Sequence, residues 1–376
     1  MKTRRFSLAS LVLATACGGA TPTTPITPGT PAIPGTPGTP AANARYFPPV
    51  TGDTWETISP AAAGWDTASL RSALDWAGTQ QTNAVVMLWK GRIVAERYWN
   101  GWTPSRDSII ASAGKSITSV MIGISQEQGR LRIDATAGSV LGAGWSRSPA
   151  SEQRITIRHL LSMTSGLDDS LRFVVEPGSR FYYNNPAYYK TFEILTRSAG
   201  LSFTPAALNS LSKSLLFDRI GMRSANWRLN FDTGEPGFVL SCTPRDMARF
   251  GLLTLAGGTW DGTPVLGDTS FLAAMLRSSS TSNPGYGLLW WLNGQSQYRT
   301  PGPYLLPTTP GALIPNAPGD LVAALGKGDK KIYVVPSLDL VVVRQGLEAD
   351  ASGGNPLAIS NFDNQWWARL KPALRY

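Results

Sequence analysis

Ser108-Ile109-Ile110-Ala111-Ser112-Ala113-Gly114-Lys115-Ser116-Ile117-Thr118-Ser119-Val120-Met121-Ile122-Gly123-Ile124 is the stretch on which the reading of this chain turns. A short apolar run passes into a helical pattern. Ile117, Val120, Met121 and Ile124 recur at helical spacing and make one apolar face. Gly129 is a suitable stop. Ser112 is expected at or near the first turn, with Lys115 one turn later on the same side. An alcohol is a weak nucleophile at neutral pH and needs an adjacent base. A lysine desolvated on a buried helix face can lose its proton and serve as that base. A helix N-terminus adds positive potential and free N–H groups that favour developing negative charge. Ser112 therefore reads as a nucleophile and Lys115 as its activator, although S-x-x-K alone also fits an ordinary amphipathic helix.

Upstream, residues 1–17 carry Lys2, Arg4 and Arg5, then the apolar run Leu8–Ala14, which is the pattern of a signal peptide and too short to span a membrane. Leu13-Ala14-Thr15-Ala16-Cys17-Gly18 resembles a bacterial lipoprotein cleavage site, with Ala14 where a larger aliphatic residue is usual. Cleavage there would leave Cys17 as a lipid-bearing first residue and anchor the protein to a membrane. Residues 18–43 are Pro, Thr, Gly and Ala and read as an extended spacer. The expected organisation is thus a leader (1–17), a linker (18–43) and one hydrolase domain (44–376), exported to the bacterial cell envelope and either lipid-anchored or periplasmic or secreted.

From Ala44 onward there is no second linker and no internal repeat. The chain is 42% hydrophobic and 16% charged, a globular composition. Its formal charge is +9, three units of which lie in the leader, and the remaining basic residues are scattered. Nucleic acid is not an expected partner. Only Cys17 and Cys242 occur, and Cys242 reads as a buried small apolar residue. No Cys/His cluster suggests a metal, and no cofactor is expected. The chain has one histidine, His159, in an apolar helical phrase where a core or capping role is expected, which disfavours a Ser-His-Asp triad. No G-x-S-x-G elbow occurs.

The secondary-structure signals place elements at both ends. Asp66 can cap a helix carrying Leu70, Ala73, Leu74 and Ala77. Ala84–Trp89, Lys90-Gly91 and Arg92–Tyr98 read as a β-hairpin. From Ser112 to about Leu276 the signals are mostly helical, with starts near Thr156, Pro186, Thr204 and Thr243. Strands return at Leu321–Leu325, Lys331–Val335 and Leu338–Val343, before a final helix with Phe362, Trp366, Trp367 and Leu370. Front and back can close into one antiparallel sheet flanked by helices, with an inserted helical region and a cleft between the two. The fold class expected is α/β (α+β).

Two further stretches can complete a site around Ser112. In Pro177-Gly178-Ser179-Arg180-Phe181-Tyr182-Tyr183-Asn184-Asn185-Pro186, a tyrosine before a helix can shuttle a proton and an asparagine can hold a substrate or Lys115. In Ala323-Ala324-Leu325-Gly326-Lys327-Gly328, a strand of small residues can approach a substrate closely and offer backbone N–H groups to an oxyanion.

Taken in order, Ser112-x-x-Lys115, Tyr183-x-Asn185 and the strand ending in Gly326 resemble the three motifs of the serine β-lactamase and penicillin-recognising superfamily, on its class C-related branch. The phrases Ile155–Leu167, Thr243–Gly251 and Tyr286–Trp291 match the same group, so the resemblance spans about residues 60–370. It implies a β-lactamase/transpeptidase-like fold and an acyl-enzyme mechanism. It makes Ser112 the acylated nucleophile and Lys115 an aid to its deprotonation. Tyr183 would exchange protons with the nucleophile or leaving group, and either Lys115 or Tyr183 could be the working base. Asn185 would hold the substrate and Lys115, and the N–H groups of Ser112 and Lys327 would form the oxyanion hole. Gly326 and Tyr286 join Asn185 and Lys327 as candidate substrate-binding residues. Trp290 and Trp291 read as core, and Asp246 with Arg249 as a helix-surface or structural pair.

The third motif departs from the family pattern. Most members begin it with Lys or His, where this chain has Ala324-Leu325-Gly326. The sequence is in this respect more similar to 6-aminohexanoate-oligomer hydrolases and carboxylesterases of the same fold. The reading expected is a monomeric extracytoplasmic serine hydrolase acting on a small ester or amide. The alternatives are a β-lactamase or D-alanyl-D-alanine carboxypeptidase, and a non-catalytic penicillin-binding-like envelope scaffold.

Overall fold

The hairpin expected at Lys90-Gly91 is present, and it seeds the main sheet. Thr82–Trp89 and Arg92–Tyr98 pair antiparallel across a turn in which Lys90 (φ 49°) and Gly91 (φ 79°) are both left-handed, the conformation a two-residue hairpin favours. The computed structural model describes residues 44–230, 237–302, 306–353 and 359–376. Cys17 and the segments 1–17 and 18–43 lie outside the described residues.

The main sheet has six strands in the order Arg92–Tyr98, Thr82–Trp89, Leu340–Gly346, Lys330–Val335, Val322–Gly326 and Trp291–Leu292, all antiparallel. The back of the chain thus docks beside the front hairpin, with Val86 opposite Val343 and Ile332 opposite Val343 on the other side. The third of these returning strands starts at Leu340 rather than Leu338 because Pro336–Leu338 form a 3-10 turn. Central strands are buried and mostly apolar, as expected where both faces are covered, with Lys331, Arg344 and Gln345 as buried exceptions. Helices Thr67–Gly78 and Asn361–Leu374 pack together on one face, where Trp76 stacks on Phe362 with ring centroids 5.5 Å apart. Helix Pro244–Leu255 packs on the sheet through Gly251, where any Cβ would lie 2.5 Å from Val341.

Asp66 caps its helix as expected, and the threonines at three of the expected helix starts are caps too. Asp66, Thr156, Thr204 and Thr243 accept from the backbone N–H of Ser69, His159, Ala207 and Asp246. His159 completes a capping box, its Nδ1 accepting from Thr156 N at 3.2 Å. Asp246 and Arg249 are both buried, not at the surface. Asp246 accepts from Thr243 N, while Arg249 donates to the carbonyls of Ile220 and Pro49, so each is structural through its own contacts. Cys242 is fully buried.

The central region is less uniformly helical than its pattern suggests. Asn226–Asn230 and Gly237–Cys242 form an antiparallel pair, and Ser108–Ile109 adds a third short strand beside Cys242 and Ser241. This small sheet stands directly before the Ser112 turn. Among the described residues no helix is long and apolar enough to cross a membrane.

Candidate active site

Ser112 sits in a 3-10 turn, Ala111–Ala113, that leads into helix Gly114–Glu127. Ala111 enters the turn with φ 49°, a left-handed conformation that disfavours larger or branched side chains. The helix behind it is buried along almost its whole length, which anchors the turn. Ser116 Oγ donates to the Leu289 carbonyl at 2.7 Å and ties the first turn of the helix to the 286–291 segment.

Lys115, one turn on, is 5% exposed, and its Nζ donates to Ser112 Oγ at 3.1 Å. The same Nζ lies 5.0 Å from the ring centroid of Tyr183 and 4.5 Å from that of Tyr188. The amine end is thus enclosed by two aromatic rings and the Ser112 hydroxyl. Tyr183 shares a hydrogen bond with Ser112, which favours its ionised form. Burial outweighs that bond and raises the phenol well above the usual tyrosine range, so Tyr183 is protonated at neutral pH.

The two asparagines after Tyr183 have different jobs. Asn184 caps helix Asn185–Ser198 by accepting from Ala187 N, and its Nδ2 donates to the carbonyls of Leu167 and Asp168. Asn185 faces the cleft, and its buried Oδ1 has no hydrogen-bond partner among the described residues. A buried acceptor left open is a place for a donor to bind.

Gly326 ends the strand that faces the Ser112 turn. A Cβ there would lie 2.2 Å from the Ile110 carbonyl oxygen and 3.2 Å from Ala113 N. Glycine is required because the strand runs against the backbone of the nucleophile turn. Lys327, the next residue, is exposed and lines the cleft. Ala324 is fully buried in the strand.

Together these groups line one cleft of about 640 Å³. Ser112, Lys115, Tyr183, Asn185 and Lys327 all reach it. Tyr286 does not. It is 1% exposed and packs edge-on against Tyr183, Phe181 and Trp291, with centroids 6.2, 5.2 and 4.7 Å away. Tyr286, named from sequence as a candidate substrate-binding residue, thus sits behind the cleft wall, where it supports Tyr183. Trp290 and Trp291 are buried core.

Sequence reasoning missed most of the aromatic and apolar lining. Tyr188, Tyr189, Trp227, Phe238 and Val239 make it up. Trp227-Arg228-Leu229-Asn230 alternates in a way that could have flagged a strand, but nothing local says that this strand borders Ser112. Among the described residues no group of three or more His, Cys, Asp or Glu is placed to hold a metal ion.

Residues 73–344 match the family described as Beta-lactamase, well over half of the chain. The chain belongs to the beta-lactamase family. At that level it is a serine hydrolase, with the β-lactamase/transpeptidase-like fold. Solved structures share the architecture at low identity. A protein assigned as a beta-lactamase from Bacteroides dorei is 17% identical with a TM-score of 0.65, covering 83% of this chain and all of its own. A protein assigned as a 6-aminohexanoate-dimer hydrolase from Bacillus anthracis is 19% identical with a TM-score of 0.60, covering 81% of this chain and 84% of its own. A class C beta-lactamase from Rhodobacter sphaeroides is 17% identical with a TM-score of 0.54, covering 82% and 97%. A comparison with curated protein sequences finds no match.

Proposed function

We propose that this serine hydrolase cleaves a small ester or amide through an acyl-enzyme on Ser112. The observation that carries the reading is the 3.1 Å contact of Lys115 Nζ with Ser112 Oγ, inside a cleft that also holds Tyr183 and Asn185. In the step proposed, Ser112 Oγ attacks the substrate carbonyl carbon and its proton passes to Lys115 Nζ. The carbonyl oxygen becomes an oxyanion, held by the N–H groups of Ser112 and Lys327. Collapse of the tetrahedral adduct breaks the carbon–oxygen or carbon–nitrogen bond, and the leaving group takes a proton from the Tyr183 hydroxyl. Water then attacks the acyl-enzyme and gives one proton to the Tyr183 phenolate, and as the acid leaves Lys115 returns its proton to Ser112 Oγ. Asn185 Oδ1 accepts a hydrogen bond from the substrate.

The third motif supports an ester or amide over a β-lactam. Ala324 offers no charge and is fully buried, so that position cannot grip a substrate carboxylate. A β-lactamase or D,D-carboxypeptidase reading keeps one supporting observation, the exposed Lys327 on the cleft wall. The leader and linker at residues 1–43 support export to the bacterial envelope, with anchoring through a lipidated Cys17. The protein is read as a monomer.

Hydrolysis of p-nitrophenyl butyrate and of a chromogenic cephalosporin separates the readings. Ester turnover without a cephalosporin adduct is expected. A long-lived cephalosporin adduct would move the assignment to a penicillin-binding enzyme. No turnover and no adduct with either would favour a non-catalytic scaffold.

A further inference from the structure

The lining of the cleft mixes two chemistries. Ser112, Lys115, Asp169, Asn185, Asn230 and Lys327 give it polar groups. An aromatic and apolar patch of the cleft wall is made by Tyr188, Tyr189, Trp227, Phe238 and Val239, and begins at Lys115, whose Nζ lies 4.5 Å from the Tyr188 ring. Three of these five carry a polar atom, and in each case the protein already engages it. The Tyr188 hydroxyl lies 2.9 Å from Thr118 Oγ1. The Tyr189 hydroxyl accepts from Asn230 Nδ2 at 2.9 Å. Trp227 Nε1 donates to Ser212 Oγ at 2.9 Å. With those ends occupied, what the side chains offer the cleft is ring carbon, and Phe238 and Val239 add only hydrocarbon.

Glycines bring this wall close to the nucleophile. A Cβ at Gly114, two residues after Ser112, would lie 3.5 Å from Cη2 and from Cζ3 of Trp227. A Cβ at Gly237 would lie 2.5 Å from the Tyr189 ring, so that ring rests on the backbone of strand Gly237–Cys242. The wall is therefore rigid, packed and adjacent to the reacting atom. Binding pockets of this kind select hydrocarbon, with a few polar groups fixing orientation.

We propose that this wall is an apolar subsite that takes a hydrocarbon group, a methylene chain or an aryl ring, attached next to the scissile bond. The inference rests on the hydrolase reading above and adds the substrate class to it. The polar groups handle the carbonyl and its neighbours, and the aromatic patch accepts the apolar group. Selectivity then grows with the hydrocarbon buried, about fourfold in kcat/KM for each methylene.

The test uses the full chain and two substrate series. One is p-nitrophenyl acetate, butyrate and hexanoate, which lengthens the acyl group. The other is acetate esters of methanol, butanol and benzyl alcohol followed by acid release, which enlarges the leaving group. The expected result is a rise in kcat/KM of tenfold or more along one series, which also assigns the side of the scissile bond. Val239→Asp, a half-buried position on the wall, is expected to lower kcat/KM on the largest substrate of that series more than on the smallest. Phe238→Ala is a second variant with the same expectation, should the charge disturb folding. Flat or falling kcat/KM along both series in a protein that hydrolyses p-nitrophenyl acetate through Ser112 would overturn the subsite. Absence of any Ser112-dependent ester turnover would instead remove the hydrolase reading on which it rests.

Discussion

Lys115 Nζ and Ser112 Oγ are 3.1 Å apart, while the hydroxyl of Tyr183 meets the same Ser112 and is held in its protonated form by burial. The two neighbours of the nucleophile are therefore not equivalent. A phenol kept protonated is suited to giving a proton to the leaving group, which leaves the lysine as the candidate to accept one. Lys115→Ala is expected to lower the acylation rate by about 100-fold or more, and Tyr183→Phe to act most strongly on esters with poor leaving groups. Pre-steady-state kinetics with p-nitrophenyl and alkyl esters measures both. A mild loss in Lys115→Ala beside a severe, leaving-group-independent loss in Tyr183→Phe would reverse the roles.

Alkaline pH should destabilise the fold through the same region. Burial raises the phenols of Tyr183, Tyr188 and Tyr286 above the ordinary tyrosine value. Their folded values exceed the unfolded value of about 10, so below that pH both states hold the protons and this contribution is constant. Above it the unfolded chain loses protons that the folded chain retains, and stability falls as pH rises toward the folded values. Tm measured from pH 8 to pH 11 is expected to decline beyond about pH 10. A Tm that holds flat through that window would contradict the burial of these phenols.

Gly326 is fixed by contact rather than by turn geometry. The 2.2 Å approach to the Ile110 carbonyl leaves no room for a methyl group. Gly326→Ala should destabilise by about 2 kcal/mol as the strand is pushed from the nucleophile turn. It should also lower kcat, because the same shift moves the Lys327 N–H away from Ser112. Urea unfolding and ester kinetics check the two effects, and unchanged stability would show that the contact is loose.

A buried charge network underlies the turn after Gly326. Lys331, with a fully buried side chain, sits 3.1 Å from Asp329 and 2.8 Å from Asp363. Asp363 also accepts from the Tyr333 hydroxyl, and Arg344 donates to the Asp329 carbonyl. Removing Lys331 leaves both carboxylates in a dry interior without the cation that bridges them. Lys331→Met is expected to lose about 3 to 5 kcal/mol of stability in urea unfolding. A loss below about 1 kcal/mol would mean that the two carboxylates find other partners.

The parts of the fold that were legible in sequence are those with strong local signals. Lys90-Gly91 demands a tight hairpin, and Asp66, Thr156, Thr204 and Thr243 mark helix starts because their side chains compete for the first free N–H groups. Ser112, Lys115, Tyr183 and Asn185 were found from motif spacing, and the fold gathers them in one cleft. The aromatic wall was not legible. Phe238-Val239-Leu240 is an apolar run that fits a buried strand or a helix equally well, and the link from its strand to the Ser112 turn runs through Ser241 and Cys242 to Ser108–Ile109, far away in sequence. Tyr286 illustrates the same gap from the other side. It sits in a family-like phrase, but its packing against Tyr183 and Trp291 places it behind the cleft.

The central claim is that Ser112 is the nucleophile, and intact-protein mass spectrometry after exposure to a fluorophosphonate tests it most directly. The wild-type chain should gain one phosphonyl adduct, mapped by peptide analysis to Ser112, and should hydrolyse p-nitrophenyl butyrate. Ser112→Ala should gain no adduct and lose ester turnover by about 1,000-fold or more while keeping its Tm. An adduct on another residue, or steady-state hydrolysis by Ser112→Ala at the wild-type rate, would contradict the account.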